Sequence, residues 1–351
     1  MGGSESSACA GRVNRQTAAT FPIMSIPMSQ LLAHWLAAAV ANDDLDIGLS
    51  GVIETVAAAC AELAGILRHA PIAGQTGLAG HTNVQGEAQK QLDVISNDIF
   101  IKHLRKNADI SILVSEELDE ALHFENQGRF AIACDPLDGS SNLDVNVTVG
   151  SIFSVLAVDP AALDLLQPGT RQLAAGYAAY GPSTSLVLSF GRSVACFTLD
   201  ENHQFVLTKD NIAVPAASGE YAINTARERF WDSATKAYVS ENVAGETGPA
   251  GKRYNMRWIG SMVADIHRIL MRGGIFLYPL DSETREKGGR LRLLYEANPM
   301  ALLLEAAGGG ATTGHGRILE VQPTAIHQRI PVILGSKEEV IRVEALYARK
   351  G

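Results

Sequence analysis

The chain has 351 residues, 46 % of them apolar and 19 % charged, enough for one large or two medium domains with a sizeable core, which excludes a disordered chain. Its formal net charge of −9 excludes the basic face that nucleic-acid binding needs. No apolar run approaches the roughly 18 residues of a membrane span, so neither a nucleic acid nor a membrane is expected as a partner.

The first 30 residues are rich in Ser, Ala and Gly and have little periodicity. They lack the apolar core of a signal peptide, so secretion is not expected. A disordered tail, or a start assigned upstream of Met24 or Met28, is preferred to a targeting segment. Residues 1–45 are read as a partly disordered N-terminal extension. Leu49, Val52, Ile53, Val56, Cys60, Leu63 and Leu67 then recur at spacings of three and four, one face of a long helix with Asp43 or Asp44 near its start. Leu92, Ile95, Ile99 and Leu104 share the face of a second helix. "ISILV", "RFAIAC" and "SIFSVLAV" read as strands, and "GYAAYG", "SLVLSF", "VACFTL" and "QFVLT" continue as a hairpin-rich antiparallel region to residue 208.

Beyond about 212 the pattern alternates. "SMVADIHRILMRGG" is a helix closed by glycines, "IFLYP" a strand, and "NPMALLLEAAGGG" a helix with Pro299 in its first turn. "PVILG" and "KEEVIRVEALYA" are a last strand and helix. The reading is an α/β (α+β) chain of two halves, 46–212 and 213–351. The four cysteines, Cys9, Cys60, Cys134 and Cys196, are scattered with no CxxC pair. Reduced thiols in a cytoplasmic protein follow.

Two acidic clusters stand at strand ends. "ISILV" runs into Glu116 and Glu117, and "RFAIAC" into "DPLDGSS", with Asp135 and Asp138. Either alone reads as a surface feature: "DPxDG" is a common Asx turn, and "SEE" a solvated helix start. Together, at the ends of two apolar strands, they would repel one another unless cations sat among them. Hard oxygen ligands select Mg²⁺, Mn²⁺ or Ca²⁺, and a site shared with phosphate suits Mg²⁺. Gly139 lets the backbone approach a ligand, and the N–H groups of Ser140 and Ser141 are placed to hold a phosphate.

"NVQGEAQKQLDVISND", "VSEE", "DPLDGSSNLD", "GSIFSV", "RWIGSMVADIHRILMRGGIFLYP" and "GRLRLLYEANPMALLLEAAGG" together resemble class I fructose-1,6-bisphosphatases, within the superfamily of metal-dependent, lithium-sensitive phosphatases. The resemblance runs from about residue 50 to 345. It implies a layered αβαβα sandwich of two domains and hydrolysis of the 1-phosphate of fructose 1,6-bisphosphate, with two or three Mg²⁺ ions per site (Mn²⁺ as a substitute). By the same resemblance Glu116, Asp135, Asp138, Glu296 and the Leu137 carbonyl are the metal ligands. Asp93 and Glu117 position and deprotonate the attacking water. Glu87, where the family has Asp, belongs to a loop that closes over the metals. Asp138, Gly139, Ser140, Ser141 and Arg292 face the scissile phosphate, and Arg290 stands where many members have Lys. Asn224 and Tyr278 contact the distal phosphate, and Arg257 reaches it in a neighbouring subunit of a homotetramer.

Two departures fall at the distal pocket, Trp258 for a tyrosine and Arg227 at the end of "NTAR", where Arg227 would supply a new charged donor. They raise sedoheptulose 1,7-bisphosphate as an alternative substrate, and with it a carbon-fixation cycle beside gluconeogenesis. A catalytically silent sensor is the remaining alternative. Residues of the vertebrate-type AMP site are missing: the helix start reads "DIGLSGVIET", a Lys-Tyr pair reads Arg129-Phe130, and an Arg reads Ala157. Weak or absent AMP inhibition is expected. Two residues read as structural from their setting: His267 on an apolar helix face, and Cys134 in a buried strand.

Overall fold

The structure is a computed structural model that describes residues 30–75, 77–82, 88–158 and 164–350. Helices α1 (Leu32–Ala41), α2 (Ile47–His69) and α3 (Gln91–Leu104) cover one face of an eight-stranded sheet. Its strands run in the spatial order Phe205–Lys209, Val194–Leu199, Thr184–Ser189, Gln172–Tyr180, Val149–Ala157, Phe130–Asp138, Ile110–Ser115 and Leu122–His123. All neighbours are antiparallel except Ile110–Ser115 and Phe130–Asp138, which pair in parallel. The two acid-bearing strands therefore deliver their C-terminal ends to the same edge of the molecule.

A second sheet of five strands, Asn255–Met256, Glu220–Ile223, Ile275–Tyr278, Val332–Gly335 and Gly310–Thr312, belongs to the C-terminal half. Helices α4 (Ser233–Ala244), α5 (Met262–Arg272), α6 (Asn298–Ala306) and α7 (Lys337–Lys350) complete the chain. Ile152, Tyr177 and Val187 on the far face of the large sheet share a core with Val263 and Ile266 of α5, Met300 and Leu304 of α6, and Phe276 and Leu334 of the small sheet. Tyr221, Ile275 and Ile333 on the small sheet's other face pack against Tyr238 of α4 and Val343 of α7. The order of layers is α, β, α, β, α, as the resemblance implies.

Local chemistry corrects three readings. The long helix is capped not by Asp43 or Asp44 but by Asp46, whose Oδ1 accepts from Gly48 N at 2.8 Å and Leu49 N at 3.0 Å. Arg129 Nη1 donates to the other Asp46 oxygen at 2.9 Å, so the helix start where an AMP phosphate was considered already holds a carboxylate and its own cation. Second, α1 was not anticipated. Leu32 and Leu36 are nevertheless buried, and Trp35 stacks on Phe190 with centroids 6.0 Å apart. Third, α2 is long and apolar enough to cross a membrane by length and composition, yet 67 % of that window is buried inside the fold. Its apolar surround is the core of the sandwich.

The structural reading of two residues holds. Cys134 is fully buried, and burial pushes its thiol well above the usual range. His267 Nδ1 lies 2.9 Å from Tyr177 Oη, and burial lowers its pKa.

Candidate active site

Strand Phe130–Asp138 continues through the acidic turn instead of stopping at Cys134, with a register shift between Asp135 and Asp138. Pro136 cannot donate to the ladder, and Asp135 Oδ1 accepts from Leu137 N at 3.0 Å, which fixes the bend. Gly139 follows in the left-handed region (φ +76°), where a Cβ would lie 3.0 Å from Ser261. Only glycine serves there without strain. A short 3₁₀ helix, Ser140–Val145, then leads away. Its Asp144 is exposed and pairs with Lys90 Nζ at 2.7 Å, so the third acid of the stretch stands apart from the buried pair.

The C-terminal half brings Glu296 on a π-helical turn, Leu293–Ala297, just ahead of α6. Such wide turns recur at functional sites because they re-aim a side chain. One oxygen each of Asp135, Asp138 and Glu296 lie within 4.8 Å of one another, and all three residues are buried. Asp138 Oδ2 also accepts from Val263 N at 3.0 Å and Ser261 Oγ at 3.2 Å. The carboxylate of one half is thus fastened to the first turn of α5 in the other.

Burial is the first cause of their titration. It pushes Glu296 up to about 8 and Asp138 to about 6, neighbouring Glu116 adds to both, and Asp135 rises well above the carboxylate range. Asp93, buried in the first turn of α3, is raised by the same desolvation, while its Oδ2 accepts from Lys90 N at 2.8 Å. Glu116 Oε1 meets Arg292 Nη2 at 2.6 Å, and Arg292 Nη1 is 3.8 Å from Glu296. Among the described residues, the buried acids Asp93, Glu116, Asp135, Asp138 and Glu296 outnumber the buried guanidinium of Arg292. An all-oxygen donor set, drawn together and short of positive charge, fits a divalent cation.

These groups open into a cavity of about 380 Å³ lined by Asp93, Glu116, Glu117, Asp135, Leu137, Asp138, Gly139, Ser140, Ser141, Asn224, Tyr278, Arg290 and Arg292. Thirteen of the residues expected from the sequence thus share one wall, with Glu296 just behind it in contact with the acids. Arg257 does not join them. Its side chain is 55 % exposed and lies 3.6 Å from Glu220. Glu87 falls outside the described residues.

Trp258 lines the cavity and stacks on Phe276, with centroids 5.8 Å apart and an interplanar angle of 12°. Arg227 does not line this cavity but a smaller one beside it, with Asn224 and Tyr278. Its Nε donates to Asp281 at 2.6 Å and its Nη2 is 3.2 Å from Glu283. Ser261 was overlooked. Its place as the N-cap of α5, accepting from Ala264 N at 3.4 Å, was readable from the sequence, but its bond to Asp138 was not.

Fold and site define a class: two-domain layered α/β enzymes that set buried carboxylates and a glycine-serine turn around one polar cavity. Family models for the N-terminal and C-terminal domains of fructose-1,6-bisphosphatase match residues 34–210 and 214–348. The chain belongs to the class 1 fructose-1,6-bisphosphatase family. A class 1 fructose-1,6-bisphosphatase of Acinetobacter baumannii (strain SDF) is 51 % identical over 303 residues, covering 85 % of this chain and 94 % of the relative. That of Neisseria meningitidis serogroup B is 48 % identical over 321 residues, covering 91 % and 99 %. Among solved structures, Leishmania major fructose-1,6-bisphosphatase in holo form matches with a TM-score of 0.86 at 38 % identity, over 92 % of this chain and all of that one. These names do not favour the heptulose alternative.

Proposed function

We propose that the chain hydrolyses the 1-phosphate of D-fructose 1,6-bisphosphate, releasing fructose 6-phosphate and phosphate. The observation that carries this reading is the buried trio Asp135, Asp138 and Glu296, with carboxylate oxygens within 4.8 Å of one another, of which Asp135 and Asp138 line a cavity that also holds the Gly139–Ser141 turn. Glu116, Asp135, Asp138, Glu296 and the Leu137 carbonyl would hold two or three Mg²⁺ ions. Bound Mg²⁺ lowers the pKa of water and neutralises charge on the phosphate and leaving oxygens.

The remaining work belongs to the chain's own residues. Asp93 and Glu117 take the proton of the attacking water. The N–H groups of Ser140 and Ser141, with Arg292, hold the equatorial phosphate oxygens, where charge must be met in the transition state. Arg290 faces the sugar, while Asn224 and Tyr278 hold the distal phosphate. Glu87 is read as the loop residue that closes over the site.

The exposed side chain of Arg257, outside its own chain's cavity, supports a role across a subunit contact in a homotetramer. Domains at 46–212 and 213–351, a cytoplasmic location and a place in gluconeogenesis complete the reading. The test is phosphate release from fructose 1,6-bisphosphate with Mg²⁺ and with chelator. Mg²⁺-dependent turnover to fructose 6-phosphate is expected, and no turnover would overturn the reading.

A further inference from the structure

The strand Ile110–Ser115 ends in a turn that carries Glu116, Glu117 and Leu118. From its own domain the turn is held on the amide side. Leu118 N donates to Ser115 O at 3.3 Å, Glu117 N to Ser115 Oγ at 3.3 Å, and Ser115 Oγ in turn to Asn97 Oδ1 at 2.8 Å. Asn97 lies one turn beyond Asp93 on α3, so this chain of bonds relates the two proposed water-activating acids. The rest of the turn lies nearer the surface: Glu117 and Leu118 are half-buried, and Asp119 and Glu120 are exposed.

The carbonyl of Leu118 accepts from His327 Nε2, at 2.9 Å, across the boundary between the halves. A carbonyl only accepts, so Nε2 carries the ring proton and Nδ1 of the neutral imidazole is an acceptor. Tyr295 Oη lies 2.8 Å from that Nδ1 and donates to it. Tyr295 is fully buried, so its hydroxyl has the imidazole as its hydrogen-bond partner in place of bulk water. The two rings meet edge to face at 5.8 Å and 72°. Tyr295 packs with Val114, Ala133 and Leu294 and immediately precedes Glu296 on the π-helical turn. Both ring nitrogens of His327 are thus engaged, Nε2 by the Leu118 carbonyl and Nδ1 by the Tyr295 hydroxyl.

We infer that His327 is a positioning residue that braces the Glu117 turn from the opposite domain, held in its tautomer and rotamer by Tyr295. It touches neither substrate nor reacting atoms. It fixes the Leu118 carbonyl, and with it the aim of Glu117, relative to the turn that carries Glu296. The inference rests on the proposed role of Glu117 in activating water. The proposed phosphate contacts at Gly139–Ser141 follow a different strand, Phe130–Asp138, so loss of the brace strikes kcat and leaves KM nearly alone.

The test compares wild type, His327→Ala, His327→Gln, Tyr295→Phe and the double variant His327→Ala/Tyr295→Phe. Mg²⁺-dependent phosphate release is measured well below each melting temperature, with hydrogen exchange of residues 115–122. A misaim of about an ångström predicts a kcat about ten- to a hundredfold lower in His327→Ala, with KM within about twofold and faster exchange of the turn. His327→Gln, whose amide keeps one donor and one acceptor, recovers most of the rate. The double variant is no slower than His327→Ala, because the Tyr295 hydroxyl acts only through the imidazole. If His327→Ala does not fold, Tyr295→Phe, which deletes a single oxygen, shows the smaller kcat loss with the same unchanged KM. Wild-type kcat in the folded variants, losses that add in the double variant, or a change confined to KM would each overturn the brace while leaving the proposed function intact. An inactive wild type would overturn the function, and the brace with it.

Discussion

Two places in this molecule bury carboxylates, and they do so in opposite ways. Glu339, at the start of α7 and 2 % exposed, accepts from Tyr238 Oη at 2.7 Å, Lys252 Nζ at 2.8 Å, Tyr254 Oη at 2.8 Å and Arg342 Nη1 at 3.1 Å. One negative charge meets two cations and two hydroxyls, and the group is a structural joint between α4, α7 and the strand edge. Asp135, Asp138 and Glu296 crowd together, Arg292 pairs with Glu116 and lies 3.8 Å from Glu296, and the three crowded acids are forced toward their neutral forms. Burial is common to both places. What marks the second as a site for chemistry is charge left unmatched, which a bound cation removes.

Mutation separates the two most sharply. Asp138→Ala or Glu117→Gln should lower turnover by about 10³-fold or more while circular dichroism and melting stay near wild type. Near-normal turnover in either would break the assignment. Glu339→Ala should do the reverse. Stranding Lys252 and Arg342 and the two hydroxyls costs about 3 kcal/mol, read as a lower denaturant midpoint, with kcat preserved in the folded fraction. A catalytic loss without a stability loss would erase the contrast.

The Gly139 turn gives a smaller effect. Gly139→Ala places a Cβ at φ +76° and 3.0 Å from Ser261, costing about 1–2 kcal/mol of strain and weakening phosphate release at low substrate. Unchanged kcat/KM would show that the turn does not cradle the substrate.

The pH dependence of the metal-free protein is smaller again. Glu296, raised from 4.5 to about 8, and Asp138, raised to about 6, keep protons in the folded chain that the unfolded chain has lost. Stability is therefore greatest at acid pH on this account and falls as pH rises through about 4.5 to 8. Melting should drop by a few degrees between pH 6 and 8, and saturating Mg²⁺ should abolish the drop. A flat profile without metal would contradict the raised values.

The sequence made some of this plain and hid the rest for physical reasons. Glu116, Glu117, Asp135 and Asp138 were legible because each pair follows an apolar strand run, and strand ends are where layered α/β folds gather their sites. Asp93, Glu296 and Arg292 came only through the resemblance. Their local context, a helix first turn or an apolar stretch such as "LRLLYEA", has no pattern that separates a ligand from a core-edge charge. Asp46 was missed as the helix cap because Asp43 and Asp44 carry the same chemistry two and three residues earlier, and only backbone geometry chooses among them. Ser261 on Asp138 and His327 on Leu118 join residues 123 and 209 positions apart, contacts that no local period encodes.

The central claim is that the buried acids are completed by a divalent cation. It is tested most directly by titrating Mg²⁺ into chelator-stripped protein at pH 7, by calorimetry in two buffers of different ionisation heat. With Glu296 near 8 and Asp135 well above its usual range, binding should expel at least about one proton per chain, and Glu296→Gln should reduce that number. Absence of binding, or binding with no proton released, would contradict the account.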